Sequence, residues 1–213
     1  MQPMEQLESR RLLANFSASS VAELIADINA ANAAGGSNTI TLKAATAFTL
    51  NATDNNSAGP TGLPRIETGN DLTIFGSGDT IQRNTARGTP AFRLFTVLQG
   101  GSLTLNDLTL SNGRMNTGFS FDGAQGGGIY SEGALNLNHV TVQNCIAEGA
   151  IGGGFASGGG IASYSVLNVV DSRFKNNQAL GGDGAWGGLA KGGALYVYNT
   201  ATVTSTTFSS NLA

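Results

Sequence analysis

Three stretches of the chain follow one pattern: Gly126–Cys145 (GGGIYSEGALNLNHVTVQNC), Gly158–Asn177 (GGGIASYSVLNVVDSRFKNN) and Gly192–Asn211 (GGALYVYNTATVTSTTFSSN). Leu94–Gly113 (LFTVLQGGSLTLNDLTLSNG) reads as an earlier copy, and Ile66, Leu72 and Ile74 as a partial first one. Aligned this way, the anchors Ile66, Val97, Ile129, Ile161 and Leu195 recur every 31 to 34 residues. Six residues beyond each anchor stand Leu72, Leu103, Leu135, Leu167 and Ala201, and two further stand Ile74, Leu105, Leu137, Val169 and Val203. A last inward position holds Leu110, Val142, Phe174 and Phe208, while the first copy loses the pattern after Ile74.

The apolar residues within a copy are spaced by two, the period of a strand with one buried face. A repeat of this length without a helical pattern inside it is the signature of a β-solenoid. Each residue then stacks on its counterpart one coil away, at about 4.8 Å. The expected fold is all-β: a right-handed parallel β-helix of about five coils, with handedness from the crossover rule and from the resemblance given below.

Composition agrees. Of 213 residues, 40% are apolar, enough for a core, and 12% are charged, against about 25% in an ordinary domain. Like charges stacked coil on coil would repel. Net charge is −3, which argues against nucleic-acid binding. No run is long and apolar enough for a transmembrane helix. One cysteine, Cys145, and one histidine, His139, supply neither a disulfide nor a zinc site, and no cofactor or metal is expected.

Ahead of the repeats, Ser20 followed by Glu23 reads as a capping box. Leu24, Ile25, Ile28 and Ala31 recur on one helical face, and Gly35 and Gly36 end the helix. The expected organisation is a targeting-like segment over 1–14, a capping helix over 15–36 and a β-helix over 37–213 that is incomplete at its C-terminal end. That end would expose Leu195, Val203 and Phe208 and favour self-association through the last coil.

The recurring Gly-Gly-x-Ile/Leu (126–129, 158–161, 192–195) and Phe-x-x-Asn (174–177, 208–211) elements resemble the repeats of chlamydial polymorphic outer membrane proteins and related bacterial β-helix exoproteins. Val142 and Cys145 depart from the second element. Ser20–Leu42 resembles the entrance of such exoproteins, with a CSLREAI-like motif reduced to Ser-Val-Ala-Glu-Leu-Ile. Leu7–Leu13 (LESRRLL) resembles the LEPR-XLL segment near the start of large exported proteins, many from planctomycetes, with Ser9 in place of proline. The resemblance implies a pectin-lyase-like architecture and an extracellular, cell-surface or outer-membrane location.

Parallel β-helix enzymes cluster carboxylates on an outer face. Here Asp107, His139 and Asp171 share one column, continued by Ser205. They are the candidates for acid–base chemistry, although two coils place the carboxylates about 10 Å apart, at the upper limit for an inverting glycosidase. The competing reading is a turn column tolerant of polar residues. Asn112, Asn144 and Asn176 form a structural column in which side-chain amides bond their neighbours, and Ile129, Ile161, Leu195, Phe174 and Phe208 are structural as well. Long Gly-rich turns over 113–125, 145–157 and 178–191 carry Phe119, Phe121, Phe155 and Trp186, candidate surface aromatics for carbohydrate or cell-surface protein. The leading functional reading is a non-enzymatic secreted or surface module of adhesion or structural type, part of a larger exoprotein. The alternative is a carbohydrate-active lyase or hydrolase.

Overall fold

The structure, a computed structural model, describes residues 13–43, 47–116, 123–185 and 187–213. Its strands pair in parallel and wind into a β-solenoid of about five turns, entered through one short helix. The principal sheet runs through Ala14–Ala18, Gly36–Leu42, Asn70–Arg83, Ser102–Ser111, Ala134–Asn138, Leu167–Val170 and Ala201–Thr204. Ile40, Ile74, Leu105, Leu137, Val169 and Val203 stand in register along it. A second column continues from Phe48 through Ile81, Leu110, Val142 and Phe174 to Phe208. All of these except Val203 and Phe208 are buried, each fully buried side chain contributing about 1.5–3 kcal/mol of apolar transfer.

Two alignments made from sequence need correction. The first copy does not lose the pattern after Ile74: Phe75 pairs with Asn106 and Asp79 with Leu108, so Gly76, Ser77 and Gly78 bulge opposite Asp107 and Ile81 regains the column. A Cβ on Gly76 would lie 2.6 Å from the Asp107 carbonyl oxygen, which explains a glycine there. Second, Val97 is not the counterpart of Ile129. Phe95 pairs with Ile129, and Val97 with Ser131. The turn from Val97 to Leu103 is two residues longer than that from Ser131 to Leu135, so aligning on the leucines displaces the anchor. Ile129, Ile161 and Leu195 do stack in register.

The long Gly-rich turns contain strands of their own. Arg114–Asn116, Ile146–Glu148 and Gln178–Leu180 form one small parallel sheet, and Ala124–Gln125, Ala156–Ser157 and Ala190–Lys191 another. Between them lies a second thin core of Met115, Ala124, Ala147, Ala156 and Ala179. Apart from Met115 these are alanines, which lets the backbones approach closely. Gly126, Gly158 and Gly192, at φ 64°, 63° and 63°, turn the chain back toward the main core. A Cβ on Gly126 would meet the Ile129 carbonyl oxygen at 2.1 Å, and one on Gly127 that of Gly159 at 2.3 Å. The paired glycines are therefore required by the path of the chain.

The Phe-x-x-Asn element also has a physical cause. Asn177 is fully buried. Its Oδ1 accepts from the Cys145 amide of the preceding coil (3.0 Å) and its Nδ2 donates to the Val142 carbonyl (2.9 Å). Asn211 repeats this, accepting from the Asn177 amide and donating to the Phe174 carbonyl, both at 3.0 Å. Each asparagine thus ties its own coil to the one before and satisfies turn amides that burial would otherwise orphan. Asn112, Asn144 and Asn176 sit one residue earlier, at φ 61°, 54° and 53°, left-handed turn positions that asparagine tolerates. Asn176 Nδ2 donates to Asn144 Oδ1 at 3.3 Å.

The segment expected as a helix over 15–36 is divided. Ala14–Ala18 is a strand paired with Gly36–Leu42, and the helix spans Val21–Ala34. Ser20 Oγ accepts from the Glu23 amide at 3.2 Å, but the Glu23 carboxylate reaches Ser19, accepting from its amide and hydroxyl at 2.7 Å. Leu24, Ile28 and Ala31 are buried against the core and Ile25 partly so. Residues 1–12, with most of the export-like segment, lie outside the described residues. No helix among the described residues is long and apolar enough to cross a membrane.

Candidate functional site

The coil geometry brings Asp107, His139 and Asp171 together. His139 Nδ1 lies 3.8 Å from Asp107 Oδ1, and Nε2 lies 3.6 Å from Asp171 Oδ2. What selects these residues is the backbone. Asp107, His139, Asp171 and Ser205 have φ of 54°, 55°, 48° and 48°, the left-handed region where short polar side chains are enriched. Their side chains are 58%, 63% and 46% exposed for the first three. The hollow beside Asp107 and His139 is otherwise lined by Gly76–Gly78, Leu108, Thr109 and Thr141, with no further acid or base. Among the described residues no group of three or more His, Cys, Asp or Glu is arranged to hold a metal ion. The column has the properties of a turn stack.

Cys145 is fully buried, its thiol within 3.4 Å of the Gln143 carbonyl. Burial pushes its pKa up to about 12, so the thiolate is suppressed and the group is unsuited to nucleophilic chemistry.

A different outer face gathers chemistry. The chain has four tyrosines, and all four meet. Tyr130 and Tyr196 point outward from Ile129–Ser131 and Leu195–Val197, and both pair in register with Ala162 of the coil between them. The Tyr164 ring fills the gap, with centroids 5.6 Å from Tyr130 and 6.0 Å from Tyr196, and it stacks on Tyr198 at 5.7 Å. The rings form a continuous cluster running parallel to the solenoid axis, tilted by 51° and 58° between neighbours of the run. Burial pushes the Tyr130 hydroxyl well above the ordinary phenol range, assisted by its hydrogen bond to Glu132 (2.8 Å), and raises Tyr164 in the same direction.

The Gly-rich outgrowths build the facing wall. Phe155, 40% exposed, shares a cavity of about 460 Å³ with Tyr164, Tyr196, Ser157, Leu189 and Lys191. Of the aromatics singled out from sequence, Phe155 therefore joins the tyrosines; Phe119, Phe121 and Trp186 lie outside the described residues. The tyrosines themselves are missed by a reading that follows buried columns. Their signal is nonetheless present: Tyr130 and Tyr196 each follow an anchor, the first outward position of an aligned strand.

Comparison with protein-family models, with curated proteins and with solved structures finds no match for this chain.

Proposed function

We propose that this chain is a non-enzymatic β-helix module of the secreted or cell-surface kind that holds carbohydrate against its tyrosine face. The observation that carries the reading is the continuous run Tyr130–Tyr164–Tyr196 with Tyr198 stacked on it. Sugar rings present apolar C–H faces and a rim of hydroxyls. Tyrosine offers the matching combination of a flat apolar face and a polar tip. Lys191 on the facing wall supplies a polar group of the kind that orients such a ligand. The tyrosine run crosses successive coils along the solenoid axis, so it suits an extended chain more than a compact molecule.

Export and a location at the cell surface or outer membrane rest on the LEPR-XLL-like segment and on the likeness of the repeats to outer-membrane exoproteins. A purely supporting role for the acid–histidine column favours binding over catalysis: its residues are explained by left-handed backbone and are half exposed. Calorimetric titration with a panel of oligosaccharides tests the reading. Binding should weaken at least tenfold in Tyr164→Ala and stay unchanged in His139→Ala, with no cleavage of any ligand with or without calcium. Turnover that disappears in Asp107→Ala or Asp171→Ala would establish the lyase or hydrolase alternative instead.

A further inference from the structure

At the Tyr130 end of the aromatic run a cavity of about 640 Å³ opens, lined by Arg93, Tyr130, Glu132, Asn116, Gln125 and Ser57 among others. Arg93 is only 2% exposed. Its Nη1 donates to the Ala58 carbonyl at 2.5 Å, with Thr96 Oγ1 at 3.5 Å. The buried Nε has no partner, Nη2 makes no hydrogen bond within the described residues, and no carboxylate pairs with the guanidinium there. The Tyr130 ring lies beneath the cation, 5.0 Å from centroid to Cζ. Burial without a counter-charge pulls the Arg93 pKa down to about 10.

Such a cation is expensive to fold around, because no carboxylate among the described residues offsets its desolvation. The local backbone also gives way to the guanidinium: Gly59, at φ 92°, would carry a Cβ 3.3 Å from Nη2 and 2.8 Å from Met115 Cε. The groups facing Arg93 that titrate are the Tyr130 hydroxyl and Glu132, which the hydroxyl engages at 2.8 Å.

We infer that this cavity receives the carboxylate of an acidic sugar, with Arg93 Nη2 as its donor and the tyrosine run beneath the sugar rings. The inference rests on the carbohydrate reading of that face and adds the ligand's charge class. An acidic ligand approaches a chain of net charge −3, so general electrostatics works against it and any preference must come from a local cation. A carboxylate accepting from Arg93 Nη2 would give the guanidinium the charge-assisted hydrogen bond it lacks among the described residues.

The probes are a tetrasaccharide of β-1,4-linked glucuronate and cellotetraose, which differ only at C6. Wild-type protein should bind the acidic one about tenfold tighter, the scale of one charge-assisted hydrogen bond. In Arg93→Met that preference should vanish while cellotetraose binding persists. Sodium acetate should compete with the acidic probe on the wild-type protein, a readout independent of any variant. Tyr164-dependent binding with no acid preference would overturn the inference and leave the carbohydrate reading standing. Acid-selective, Arg93-dependent binding unaffected by Tyr164→Ala would keep the carboxylate at Arg93 but overturn the tyrosine run as the surface that holds the sugar, and failure of both probes to bind would overturn both.

Discussion

The Asp107–His139–Asp171–Ser205 column and the Tyr130–Tyr164–Tyr196 run climb the same coils and are built in opposite ways. In the first, the backbone is unusual and the side chains follow from it: φ near +50° at every step admits only short polar residues or glycine without cost. In the second, Tyr130 and Tyr196 lie on ordinary extended strands and many outward residues would serve the fold equally well. A polar column that the backbone explains has little left to explain by chemistry. An aromatic cluster that the backbone does not require, ending on a buried arginine that no carboxylate among the described residues pairs with, is the face for which we propose a ligand. The acid–histidine stack looks more like an active site in the sequence, yet the tyrosine face carries the stronger argument once the coils are stacked.

Both faces hang on one core, so the largest effect comes from removing it. Leu137→Asp would place a carboxylate in the central column between Leu105 and Val169. Loss of cooperative unfolding by circular dichroism is expected, and a folded variant would refute the stacking. Next comes the turn column. Asp171→Val puts a β-branched residue at φ 48° and should cost about 1–2 kcal/mol, lowering the thermal midpoint by several degrees. Asp171→Gly should be close to neutral, and neither change should alter oligosaccharide binding. If valine were tolerated as well as glycine, the backbone would not be what selects this column.

The smallest effect on stability is expected at the far end of the stack. Val203 and Phe208 are 42% and 49% exposed, and their strands pair on one side only, whereas strand Ala14–Ala18 and the helix cover the opposite end. Phe208→Glu should change stability by less than about 0.5 kcal/mol, although it loses the stacked contact with Phe174 at 5.1 Å. Light scattering should show concentration-dependent association of the parent chain through these open strands and its loss in the variant. A parent chain that stays monomeric at every concentration would contradict this.

The main columns were legible because inward side chains at period two repeat in phase, and Leu103, Leu135 and Leu167 need no structure to be aligned. The Gly76–Gly78 bulge and the displaced Val97 were not, since an insertion in a turn leaves no mark on the apolar pattern beyond it. Strands of two or three residues in the Gly-rich outgrowths have alanine cores, and alanine carries no strand signal. The site was hidden for a related reason. Tyr164 stands two positions beyond the place it fills beside Ala162, so only the folded coil brings it between Tyr130 and Tyr196. Arg93 reads as a surface residue until its 2% exposure is known.

With four tyrosines and a single histidine in the chain, one spectrum compares the two faces directly. Protein carrying ¹³C-labelled tyrosine and histidine rings, titrated with the glucuronate tetrasaccharide, should show shifts of the tyrosine rings, Tyr130 and Tyr164 foremost, while the His139 ring stays in place. Movement of the His139 ring with the tyrosines unperturbed would put the ligand on the acid–histidine column and contradict the account.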